Sequence, residues 1–284
     1  MSLGNNDFQC RNGDKPTVKY IPKDVSGGLT QQVIAELRRE PGQVLSYLWK
    51  TAIGSARFLA EAPLTNGILF YKFMRIFFTI EGGVSLLEIL KLTSLIKRHA
   101  KNGILVEVGT WKGLSACCLS HVAALKKMKL WIVDTFTGLP QSGGPFHVSE
   151  GRRRGYHFEE GSYAGSYETV SENLRRLGYA NNVSMVAGNV IDMPPLEFPD
   201  GQKISLAFID VDLPESYRGA FKALARGIDK GTILVLHEGL IDDVREIATD
   251  NAFWKTLSLP PPRLVIYEHS WRMRTLMTGL IFDD

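Results

Sequence analysis

Five short, almost wholly apolar runs recur along the chain: ILVEV (104–108), LWIVD (130–134), VSMVA (183–187), SLAFID (205–210) and TILVL (232–236). Segments with helical spacing of apolar residues stand between or beside them, at about 113–126, 167–177, 214–225 and 241–253. Strands apolar on both faces must be covered on both faces, and parallel neighbours need a crossover long enough for a helix. The pattern predicts an α/β domain with a mostly parallel sheet between two helix layers. Two more runs, RLVIYE (263–268) and TLMTGLIF (275–282), have too little chain between them for a helical crossover. They are expected to form a C-terminal antiparallel hairpin, giving seven strands in all.

Upstream, Ser85-Leu-Leu-Glu88 reads as a capping box opening a helix to about His99. Residues 1–28 are polar and punctuated by Gly and Pro, as in a poorly ordered arm. Helical spacing runs from Leu29 to about Lys50, broken at Glu40-Pro41-Gly42, and again from Thr51 to Ile80. Phe70, Phe73, Met74, Phe77 and Phe78 fall on one helical stripe, which suits packing against the main domain or a second subunit, or the wall of an acceptor pocket. The expected division is an N-terminal helical extension over 1–80 and a main domain over 81–284, with a dimer suggested by the aromatic stripe. The Gly-rich stretch 135–163 reads as a loop. Its Arg152-Arg153-Arg154 could clamp a phosphate or carboxylate over a substrate, or form a solvated basic surface.

Composition removes several classes of partner. A net charge of +3 gives no basic stripe for nucleic acid. The greasiest stretch, 67–80, is interrupted by Lys72 and Arg75 and is shorter than a membrane span requires, so no membrane partner is expected. Three cysteines, two of them adjacent (Cys117 and Cys118), do not make a disulfide framework. With a start that lacks the layout of a secretion signal, they point to a reducing, cytoplasmic setting and a small-molecule partner.

The chemistry gathers at strand ends. Glu107-Val-Gly109-Thr110-Trp-Lys-Gly113 runs from a strand into a helix. The helix start offers N–H groups to a carboxylate, and Gly109 would let the backbone approach a ligand. Glu107 suits the ammonium of a methionine moiety and would repel a pyrophosphate. The Gly-x-x-x-Gly spacing is also not that of a dinucleotide site. Asp134, followed by Thr135, ends the next strand, where an acid can accept hydrogen bonds from a ribose. Asn189, after Gly188, stands where an adenine edge could lie, or simply closes a turn. Asp210 and Asp212 are expected on one face of the fourth strand, and His237-Glu238 ends the fifth. Carboxylates and an imidazole converging there make a candidate divalent-metal site.

VEVGTWKGLSACCLS, WIVDTFTGLP, GSYAGSYETVSENLRRLGY, IDVDLPES and His237-Glu238 follow one another as in the macrocin O-methyltransferase family, which this chain resembles over about residues 82–240. The resemblance implies a Rossmann-like class I methyltransferase fold, S-adenosylmethionine as cofactor and usually Mg²⁺. It implies Glu107, Gly109, Thr110, Gly113, Asp134, Thr135, Asn189 and Asp210 around the cofactor, with Asp210, His237 and Glu238 on the metal. Asp212 would take the hydroxyl proton, or His237 if no metal binds. The family often has two carboxylates where this chain has His237-Glu238, and a nitrogen ligand suits Mn²⁺, Fe²⁺ or Zn²⁺ better than Mg²⁺. The expected activity is O-methylation of a sugar or natural-product hydroxyl. The alternatives are a S-adenosylmethionine-binding protein with altered catalysis and a nicotinamide-dependent oxidoreductase.

Overall fold

The computed structural model describes residues 41–100, 103–141, 160–239, 242–269 and 276–283. The polar arm, the first helical stretch before Pro41 and the arginine run at 152–154 lie outside the described residues. Three helices come first: α1 (Pro41–Glu61), α2 (Pro63–Thr79) and α3 (Leu86–His99). The chain then alternates β1 (Ile104–Val108), α4 (Leu114–Leu125), β2 (Leu130–Asp134), α5 (Tyr167–Leu177), β3 (Val183–Ala187), β4 (Ile204–Ile209), α6 (Pro214–Leu224) and β5 (Ile233–Leu236). It closes with α7 (Asp242–Thr249), α8 (Asn251–Thr256), β6 (Arg263–His269) and β7 (Leu276–Ile281).

The expected elements are present, with two local differences. The boundary expected near Thr51 falls at Ala62 instead, because α1 opens at Pro41, where a proline's missing N–H costs nothing, and runs unbroken to Glu61. The helix expected over 241–253 is two, because the Asp250 side chain turns back to cap α8 by accepting from Ala252 N and Phe253 N.

The described strands form one sheet in the order β3-β2-β1-β4-β5-β7-β6. The first five are parallel, while β7 runs antiparallel between β5 and β6. The terminal hairpin therefore joins through its second strand. The strand order reverses between β1 and β4, and in open α/β sheets a crevice for ligands lies at such a point.

Side chains alternate across the sheet with period two. Leu105, Leu206, Phe208, Ile233 and Val235 share an apolar cluster with Phe73, Ile76, Leu92 and Ile96 of α2 and α3. Val106, Ile209, Leu234 and Leu236 face the other way, onto Tyr217, Phe221 and Trp254. The aromatic stripe of α2 is thus split: Phe73 and Phe77 are buried in the core while Phe78 is exposed. Cys117 and Cys118 are buried, unpaired thiols on α4, and burial pushes the Cys117 thiol up to about 12. Among the described residues no helix is long and apolar enough to cross a membrane.

Candidate active site

One row of backbone hydrogen bonds crosses the carboxyl ends of five strands. Gly188 N donates to Asp134 O, Gly109 N to Val133 O, Asp210 N to Val108 O and His237 N to Ile209 O, all at 2.9–3.0 Å. The candidate residues read from the sequence therefore stand side by side. By the alternation of their strands, Glu107, Asp210 and His237 are carried on the sheet face that α2 and α3 cover. A cavity of about 580 Å³ between α1 and α3 is lined by none of them.

Glu107 is fully buried. Its Oε2 accepts from Thr110 Oγ1 at 3.2 Å, while Oε1 has no hydrogen-bond partner among the described residues. The Ser115 hydroxyl stands close enough to favour the charged form without completing a bond to Oε1. Burial dominates and pushes the carboxyl up to about 8. A buried acceptor without a donor is costly unless a ligand supplies one. The N-terminus of α4 begins at Gly113 with no side-chain cap, which leaves its first N–H groups for an anion. An acceptor for an ammonium and donors for a carboxylate thus lie on one turn, which fits the methionine end of S-adenosylmethionine.

Gly109 serves a different neighbour from the one expected. At φ +83° its ideal Cβ would lie 1.9 Å from Asp210 O, so the close approach it permits is to the backbone leaving β4. Gly165 does the same for the other side of the turn, where a Cβ would lie 1.9 Å from Trp111 O. The Trp111 and Tyr163 rings meet edge to face at 5.3 Å. This explains the Tyr163-Ala-Gly165-Ser run before α5 as packing on the Gly109–Gly113 turn.

Asp134 is already engaged by the protein. Its Oδ2 accepts from Thr110 N at 2.6 Å and Trp111 N at 3.2 Å, and its Oδ1 from Phe136 N at 2.7 Å. Burial pushes its carboxyl up against these bonds. It fixes the turn after β1 to the end of β2, and a ribose hydroxyl would share its oxygens with that role. Thr135 Oγ1 donates to Gly138 O at 2.6 Å within its own turn. Asn189 closes a turn too, accepting from Ile191 N and donating to Asp192.

Asp210, His237 and Glu238 place ligand atoms within 4.8 Å of one another. Asp212 lies outside that group: β4 ends at Ile209 and Asp212 has φ +57°, so strand alternation no longer governs where it points. His237 is 3% exposed. Its Nδ1 contacts Glu238 Oε1 and lies 3.2 Å from Asp210 Oδ1. Its Nε2 lies 3.3 Å from Glu88 Oε1 on α3. Burial opposes the imidazolium, but the charges of Asp210, Glu238 and Glu88 outweigh it and hold His237 well above its ordinary range. Burial, with Asp210, pushes Glu238 up, against the pull of His237. Tyr217 of α6 donates its hydroxyl to Glu238 Oε2 at 2.5 Å from the opposite sheet face. One nitrogen and two carboxylates, with open positions left toward Asp210, whose side chain is 19% exposed, suit a divalent cation. Glu88 and Tyr217 carried no functional signal in the sequence; Glu88 was legible only as a helix cap.

The sheet order and the groups at its switch point, with a family match over residues 75–260, define a class I S-adenosylmethionine-dependent methyltransferase. Residues 75–260, more than half of the chain, match the macrocin O-methyltransferase family, and the chain belongs to it. It is therefore a S-adenosylmethionine-dependent O-methyltransferase. No curated protein matches its sequence. Among solved structures, it is similar to the O-methyltransferase NovP at 18% identity, covering 68% of this chain and 80% of that one with a TM-score of 0.52. The calicheamicin methyltransferase CalS11 is similar at 18% identity, covering 69% of this chain and 79% of that one with a TM-score of 0.51. At such identity these likenesses bear on the fold.

Proposed function

We propose that the protein methylates a hydroxyl of a small natural product or sugar, with a divalent cation held by Asp210, His237 and Glu238. The observation that carries this reading is the row of strand ends. It sets Glu107, whose buried Oε1 lacks a donor among the described residues, and Asp210 on either side of the point where the strand order reverses. The family is that of macrocin O-methyltransferase, and CalS11 is a calicheamicin methyltransferase, which supports a natural-product acceptor.

S-adenosylmethionine supplies the methyl group at this site. A divalent cation would act as a Lewis acid that lowers the pKa of the acceptor hydroxyl. The chain's own residues bind and orient. Glu107 and the start of α4 hold the two charged ends of the methionine moiety. Asp210 presents a carboxylate at the mouth of the crevice, and Asp212, on the loop after β4, takes the hydroxyl proton. His237 is buried with Nδ1 beside Asp210 and Glu238, which places it with them as a ligand. Holding the deprotonated oxygen in line with the methyl accounts for most of the rate, a contribution that reaches about 7–11 kcal/mol in well-oriented reactions.

Titration calorimetry with S-adenosylhomocysteine and NADH tests the reading: the first should bind and the second should not. Asp210→Asn should abolish both turnover of a hydroxylated acceptor and its dependence on added cation. Turnover equal to wild type would refute the cation-assisted mechanism.

A further inference from the structure

The Ser85–Glu88 capping box uses only one carboxylate oxygen. Glu88 Oε2 accepts from Ser85 N at 2.8 Å and from Ser85 Oγ at 2.7 Å. Capping boxes ordinarily sit at wet helix ends, yet Glu88 is 1% exposed. Among the described residues its other oxygen, Oε1, has no hydrogen-bond partner, and neither has His237 Nε2; the two face each other at 3.3 Å. A buried carboxylate is expensive without an opposite charge or a donor. Among the described residues the ring Nε2 of His237 is the group that faces it and can donate to it.

The opposite side of the ring completes the picture. Nδ1 points at Asp210 and Glu238, the two carboxylates that complete the candidate cation site. An imidazole that binds a metal through one nitrogen needs its other N–H held by an acceptor, which fixes the tautomer and the ring plane. The proposed cation reading makes Nδ1 the ligand atom, and Glu88 Oε1 then stands where that acceptor is needed.

We infer that Glu88 is a positioning residue for the cation site: it receives the Nε2–H of His237 and so presents the Nδ1 lone pair to a divalent cation between Asp210 and Glu238. The inference rests on the cation reading of those three residues. The start of α3 would thereby be tied to the catalytic end of the sheet, so the helix preceding β1 helps set the metal affinity.

Mn²⁺ alone is the probe, titrated by electron paramagnetic resonance against wild type and Glu88→Gln. Glutamine can still accept from Ser85, so the cap is kept while the charge facing His237 is lost. Glu88→Gln should bind Mn²⁺ about 10- to 100-fold more weakly, with S-adenosylhomocysteine affinity unchanged. Equal Mn²⁺ affinity in the two proteins would overturn the role of Glu88 and leave the cation reading standing. A wild type that binds no Mn²⁺ would sink both. Nitrogen-15 NMR of labelled histidine in the wild-type protein with Zn²⁺ adds a measurement independent of the variant's folding. The proton is expected on Nε2 and the metal on Nδ1, and the reverse assignment overturns the inference.

Discussion

Binding of an ammonium ligand to this protein should expel a proton. Glu107 is fully buried, and burial pushes its carboxyl up to about 8 while the Ser115 and Thr110 hydroxyls pull the other way. One pH unit below that value the group is about nine-tenths neutral. The methionine ammonium of S-adenosylhomocysteine requires the charged carboxylate, so binding at pH 7 should release roughly 0.9 proton. Charging the group at pH 7 costs about 1.4 kcal/mol relative to a pH well above 8. The Kd should therefore tighten about ninefold from pH 6 to 7 and about fivefold from pH 7 to 8, then level off. Calorimetry in buffers of different ionisation enthalpy reads the proton count directly, and the same titrations give the slope. Glu107→Gln should bind more weakly, with neither proton release nor slope. A wild type whose Kd is flat from pH 6 to 8, with release below roughly 0.2 proton, would show that Glu107 does not face the ammonium.

The same group makes ligand-free stability depend on pH. Between 4.5 and about 8 the native state binds more protons at Glu107 than the unfolded chain does, so this contribution is complete below 4.5 and declines as pH rises to about 8. Urea midpoints of wild type minus those of Glu107→Gln should fall across that window, and a constant difference would contradict the burial argument. Gly109→Ala forces a methyl to 1.9 Å from Asp210 O at φ +83°. The left-handed backbone costs about 1–2 kcal/mol and overpacking about 1–3 kcal/mol, so its urea midpoint should drop and S-adenosylhomocysteine should bind more weakly; an unchanged midpoint counts against the clash. Tyr217→Phe removes the donor to Glu238 Oε2 in a buried site, which should cost about 1–3 kcal/mol by thermal unfolding. A loss under about 0.5 kcal/mol would mean that the bond does little.

The residues at the strand ends were legible in the sequence because each directly follows an apolar run. The structure adds what each touches. Asp134 reads as a ribose acceptor by position, yet its oxygens first hold Thr110, Trp111 and Phe136. Gly109 reads as room for a ligand, yet the backbone of Asp210 fills that room. Asp210 and Asp212 read as one face of a strand, but the strand stops before both and Asp212 turns to positive φ.

Local spacing alone determined the strands, the helices, the capping box at Ser85 and the β1-to-α4 turn, because apolar periodicity and terminal hydrogen bonding act over a few residues. Only the tertiary structure decided that β7 inserts beside β5, that Glu238 reaches Tyr217 across the sheet, and that Glu88 faces His237. Those contacts join segments far apart in the chain, and no spacing rule encodes them. They are fixed by which sheet face each strand presents and by the cost of burying a charge without its partner.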